Sequence, residues 1–153
     1  MMFSSAVFSQ MAILSLEEEI DFTTKSVKNA VDHLKVNKGF TVVSSDFPTG
    51  TSDSTVYLSY KDVMLEIDVR YSKRINGENF SSIFSNTSTD EKWYKGEIAK
   101  IPGLGFFLTE DVLKSETAHE AKIYEKGNVR IQIFYSLYPG SEQKYYSIDV
   151  IRF

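Results

Sequence analysis

The strongest constraint on this chain is an alternation. From Val129 to Tyr138, the residues Val129, Ile131, Ile133, Tyr135 and Leu137 alternate with Arg130, Gln132, Phe134, Ser136 and Tyr138. Successive side chains of a strand point to opposite faces, so period two reads as a strand with one buried face. Val63, Leu65, Ile67, Val69 and Tyr71 alternate in the same way with Met64, Glu66, Asp68 and Arg70. Two such segments demand a sheet, and a sheet with an apolar face demands a second layer to cover it.

Turn residues delimit the strands. Lys126-Gly127-Asn128 lies between the strand-like runs Thr117–Glu125 and Val129–Tyr138, and a Gly in so short a loop supplies the positive φ a hairpin needs. Pro139-Gly140 leads into a last strand over Lys144–Phe153. Earlier, Phe40–Ser44 reads as a strand, Asp46–Ser54 as a polar loop, and Thr55–Tyr60 pairs with Val63–Tyr71 across Lys61-Asp62. Asn76-Gly77 marks a turn. Phe80, Ile83 and Phe84 suggest a short helix over Glu78–Asn86, and Thr87–Lys92 a polar loop. Trp93–Ile101 reads as a strand entering Pro102-Gly103-Leu104-Gly105, Phe106–Leu108 as a brief strand, and Thr109–Ser115 as a charged loop.

The covering layer is a helix over Thr24–Asn37. Val27, Ala30, Val31 and Leu34 recur at i, i+3, i+4 and i+7, with Asp21, Thr23 or Thr24 as caps and Gly39 past the end. The expectation is therefore an α+β domain over residues 24–153. It has a twisted antiparallel sheet of five to seven strands and an N-terminal helix packed on one face, sandwich-like, with the C-terminal hairpin and last strand central. Residues 1–23 form an N-terminal segment, either signal-like or an ordered extension. Met1–Leu16 is fairly apolar but has no basic residue before Lys25, and Ser15 with Glu18 has the spacing of a capping box.

Function classes narrow by elimination. A chain of 153 residues is one ordinary domain, and no apolar run approaches the roughly 18 residues of a membrane span. The chain has no cysteine, which excludes disulfides, thiol catalysis and Cys-ligated metals. All of the net charge of -4 comes from Glu17, Glu18, Glu19 and Asp21; the rest is balanced and mixed, so nothing concentrates phosphate backbones. With only His33 and His119, no G-x-S-x-G elbow and no H-E-x-x-H, neither a nucleophile–base pair nor a zinc set is legible. Gly103-Leu104-Gly105 lacks the third Gly of a dinucleotide fingerprint. Glu66 and Asp68 share a strand face and could form an acid–base pair, but Arg70 continues that face as an ion partner.

The stretch Ile101–Gly105, a charged gap, and the hairpin Glu125–Ile133 (EKGNVRIQI) resemble the latter half of the small exported domains of the Mog1/PsbP-like superfamily. The resemblance implies an α/β/α sandwich around an antiparallel sheet and a binding or assembly role without catalytic residues. With the missing cysteines and the Ser/Thr-rich loops, it points to an exported or periplasmic bacterial protein; the missing basic n-region points to the cytoplasm.

The reading is a non-catalytic protein-binding or inhibitor-like module with no cofactor, no metal and another protein as partner. Phe134, Tyr138 and Tyr145 fall where the strand pattern calls for polar residues, and Phe106 and Phe107 adjoin the glycine turn. Aromatics give large contact area with few rotors to freeze, so these five are the candidate contact residues. The alternatives are a carrier of a small apolar ligand in a sheet–helix pocket, and a hydrolase using Glu66 and Asp68.

Overall fold

A computed structural model describes residues 14–46, 53–61, 66–76, 79–114 and 119–153. Among the described residues, three α-helices form where caps and apolar stripes coincide. Helix α1, Leu16–Phe22, opens on a full capping box: Ser15 Oγ accepts from Glu18 N–H at 3.2 Å, and Glu18 Oε2 accepts from Ser15 N–H at 2.9 Å. The hydroxyls of Thr23 and Thr24 turn back to the carbonyls of Ile20 and Asp21, which closes α1. Helix α2, Val27–Lys38, therefore starts three residues later than the sequence suggested. Its cap is Ser26, whose Oγ accepts from Asn29 N–H, and Gly39 ends it at φ 74°.

Helix α3, Glu91–Lys100, corrects the strand expected from Trp93 to Ile101. Asp90 Oδ1 accepts from Trp93 N–H at 3.0 Å, so the chain is capped just before the segment. Trp93, Tyr94 and Glu97 are buried and Ile101 follows a turn later, which is a helical stripe and not a period of two. A 3-10 turn over Pro102–Leu104 ends at Gly105, φ 81°.

The eight strands among the described residues are β1 Thr41–Asp46, β2 Ser54–Lys61, β3 Glu66–Asn76, β4 Asn79–Ser88, β5 Phe107–Lys114, β6 His119–Lys126, β7 Val129–Leu137 and β8 Lys144–Arg152. They form one antiparallel sheet in the order β1-β2-β3-β4-β8-β7-β6-β5. The fold is α+β as expected, with more strands and more helices. One extra strand is β4, which replaces the helix read over Glu78–Asn86. Its Ser82, Phe84, Asn86 and Ser88 are buried while Ile83, Ser85 and Thr87 face the other way, and both its edges are hydrogen-bonded. The brief strand expected at Phe106–Leu108 is lengthened into β5, an edge strand that takes up most of the expected loop Thr109–Ser115. Charged residues on such an edge discourage pairing with another chain. The expected turns at Lys61-Asp62 and Asn76-Gly77 run into residues 62–65 and 77–78, outside the described residues, as do Val63 and Leu65.

The topology repeats itself. A helix followed by a four-stranded meander occurs twice, as α2-β1-β2-β3-β4 and α3-β5-β6-β7-β8, and the two units meet where β4 pairs with β8. Each unit has its own core. Ala30 and Leu34 of α2 pack with Leu58, Ile67, Val69, Tyr71 and Phe84. Trp93 and Tyr94 of α3 pack with Ile131, Ile133, Ile148 and Val150. Each such side chain contributes roughly 1.5–3 kcal/mol by leaving water. Val31 is only partly buried. Helix α1 lies across the seam. Phe22 enters the first core, while Leu16 and Ile20 enter the second.

Candidate binding site on the open face of the sheet

All three helices pack on one face of the sheet, so the alternate residues of every strand point the other way, and none of the described helices covers them. Strand register arranges that face in rows. One runs Tyr57, Arg70, Ser85, Asp149, Gln132; the next runs Ser59, Asp68, Thr87, Ser147, Phe134. Twist turns these rows into an open groove of about 600 Å³, with Val43, Tyr57 and Phe134 as apolar walls and hydroxyls, Asp68, Arg70 and Asp149 as its floor. Val43 joins the rim because the β1–β2 register shifts between Val42 and Ser44.

Asp149 is the central charged group. It sits on β8, one of the two middle strands, and burial pushes its carboxyl above the usual aspartate value. A hydrogen bond with the Ser85 side chain and the charge of Arg70 pull it partly back. Arg70 Nη2 also donates to Ser85 Oγ at 3.4 Å. Asp68 is exposed beside this group. Glu66 is not free to work with it: Lys61 Nζ lies 2.7 Å from Glu66 Oε1.

The five candidate contact residues divide. Phe134, Tyr138 and Tyr145 come together at one end of the open face; the Tyr138 and Tyr145 rings are 5.9 Å apart, and Phe134 walls the groove. Burial and the charge of Glu66 push the Tyr145 hydroxyl above its ordinary value. Phe107 is exposed on the same face, but in the row of Glu125, Arg130 and Ile151 on edge strand β5, at the opposite end. Phe106 points to the helix face, buried in the second core with Lys126 Nζ over its ring. It is a packing residue.

Tyr57, Ser85, Thr87 and Asp149 were missed as site residues. Reading Glu78–Asn86 as helix hides Ser85, and reading Thr87–Lys92 as a polar loop hides Thr87. Asp149 carried a signal, since it is the one charged residue between apolar Ile148 and Val150 in a strand with few charges. The histidines are half-buried or packed rather than grouped: His33 meets Phe22 edge-on at 5.4 Å, and His119 stacks on Tyr135 at 5.1 Å. Among the described residues no three His, Cys, Asp or Glu are grouped to hold a metal, and no helix is long and apolar enough to cross a membrane.

No family model matches this chain, and neither a curated protein nor a solved structure does.

Proposed function

We propose that this protein is a non-catalytic binding module that holds another protein against the open face of its sheet. The observation that supports the reading is the distribution of aromatic area. Phe134, Tyr138 and Tyr145 cluster on the face that none of the described helices covers. Tyr138 is 55% exposed, and a Tyr with few rotors is a suitable anchor for a partner. The Glu66–Lys61 ion pair and the exposure of Asp68 weigh against the carboxylate-pair hydrolase, which needs a desolvated acid.

The groove favours a second reading, a small-ligand carrier, because its volume is in the range of ligand sites. That site is on the face away from the helices, not between sheet and helix.

Affinity capture from the native source, with the wild type, Tyr138→Ala, Tyr145→Ala and a helix-side control Lys28→Ala, tests the proposal. A partner retained by the wild type and the control, and lost with both tyrosine variants, is the expected result. Undiminished recovery by both folded tyrosine variants overturns it.

A further inference from the structure

Helix α1 is held on the sheet by a polar contact in a place where apolar packing would be ordinary. Glu19 is 0% exposed, and Asn86 of β4, equally buried, lies beneath it. Asn86 Nδ2 donates to Glu19 Oε1 at 2.6 Å. The other oxygen of each group, Glu19 Oε2 and Asn86 Oδ1, is buried without a hydrogen-bond partner. An ionised carboxylate cannot use these two atoms together, because both only accept. A carboxylic acid can: its O–H donates to the amide oxygen while its carbonyl oxygen accepts from the amide N–H.

We propose that Glu19 is a neutral acid in the folded protein, closed onto the Asn86 amide by two hydrogen bonds, and that this pair is a latch that releases α1 as pH rises.

The surroundings agree. Burial is the largest influence on Glu19 and holds its carboxyl well above the ordinary value; the Asn86 hydrogen bond opposes it. The charges that act on it, Glu97 of α3, Asp149 of β8 and Glu18 of its own helix, are all anionic and push the same way as burial. The cations around α1 are engaged elsewhere. Lys100 is held by Glu97, Lys38 by Glu18, and Arg152 of β8 donates to Thr23 Oγ1. On the α2 side, His33 packs on Phe22 and bonds Asn37. Glu97 Oε2 also accepts the Leu16 N–H at 2.8 Å, so the negative charge that opposes ionisation of Glu19 is the one that anchors the start of the helix.

The sign follows from proton counting. When α1 lifts, Glu19 meets water and returns toward 4.5, so opening releases a proton above that pH. Opening is therefore independent of pH below about 4.5. It then becomes about tenfold easier per pH unit until the folded-state value is passed. Lifting α1 exposes the seam of β4, with Ser82, Asn86 and Ser88, between the two cores.

Two measurements on the whole chain test this. The side-chain carboxyl carbon of Glu19 is followed by NMR from pH 3 to 9, and α1 amide protection is compared between wild type and Glu19→Gln. Gln keeps both hydrogen bonds of the ring and cannot ionise. The expected result is a Glu19 resonance that stays protonated well above pH 4.5. Wild-type protection of α1 should fall as pH rises, while that of Glu19→Gln stays flat. A Glu19 carboxyl that titrates near 4.5 overturns the neutral acid, whether or not the variant folds. Identical pH profiles of protection for the two proteins overturn the latch.

Discussion

The indole N–H of Trp93 donates to the backbone carbonyl of Leu14 at 2.9 Å, across 79 positions of the chain. The first turn of α3 is thereby tied to the chain that enters α1. Both ends of this contact are buried. Trp93→Phe keeps an aromatic ring but leaves that carbonyl unsatisfied, which costs about 1–3 kcal/mol. Urea denaturation measures the loss, and faster exchange of the α1 amides should accompany it. A loss confined to α3 would show that the tie does not hold the two helices together.

Ile133 of β7 is 3% exposed in the second core, facing Ile148 across the β7–β8 pairing. Ile133→Ala should cost about 2–5 kcal/mol, from lost burial plus the void left behind. A cost under about 1 kcal/mol in the same titration would mean that the site collapses around the smaller side chain.

The groove has a pH signature of its own. Asp149 has its folded-state value raised above its ordinary one by burial, so stability is full below pH 3.8 and declines as pH rises through the folded value. Asp149→Asn removes that decline. The variant should gain on the wild type between acidic and neutral pH. Arg70→Ala should shift the Asp149 carboxyl further up, because a cation that favoured its charged form is gone. An NMR titration of Asp149 in both backgrounds reads the direction; a downward shift in Arg70→Ala contradicts the assignment.

Gly39 closes α2 at φ 74°, and a Cβ there would have no closer neighbour than the Tyr60 ring at 3.9 Å. Space is therefore not the constraint, and backbone conformation is. Gly39→Ala should cost about 1–2 kcal/mol through left-handed strain alone. Thermal unfolding of the variant checks it, with a native-like circular dichroism spectrum as the accompanying expectation.

Several elements were readable in advance because a local signal and the tertiary demand coincided. The β6–β7 hairpin is one: a strict alternation follows Gly127, which takes φ 58°. Helix α2 is another, with its stripe and Gly39. The misread segments are those where side chains satisfy two periods at once. Phe80, Ile83 and Phe84 fit a helical spacing, yet Phe84 alternates with Ser85 and Ile83 in a strand paired on both sides. Trp93 to Ile101 carries a β-rich aromatic pair, but the Asp90 cap and the stripe through Glu97 decide for helix. The aromatic end of the open face could be read from Phe134, Tyr138 and Tyr145 being out of pattern. The groove floor could not, because it is assembled by the β4–β8 register between residues sixty or more positions apart, Ser85 with Asp149 and Thr87 with Ser147. The same holds for Glu19. The capping-box spacing to Ser15 marks Glu18 but says nothing of Glu19, which the placement of α1 over β4 turns inward.

The doubled helix-and-meander topology divides the sheet into two halves of contiguous chain. β4 and β8 form the one strand ladder between the units among the described residues. A peptide-bond cut in the short connection after Ser88 would leave both meanders intact, and the two fragments would re-form the sheet as partners in trans. They would not be equals. The N-terminal fragment carries Leu16 and Ile20, which belong to the other fragment's core, so on its own it displays the plug for a hole it does not contain. Its affinity for the C-terminal fragment would reside in that helix as much as in the ladder.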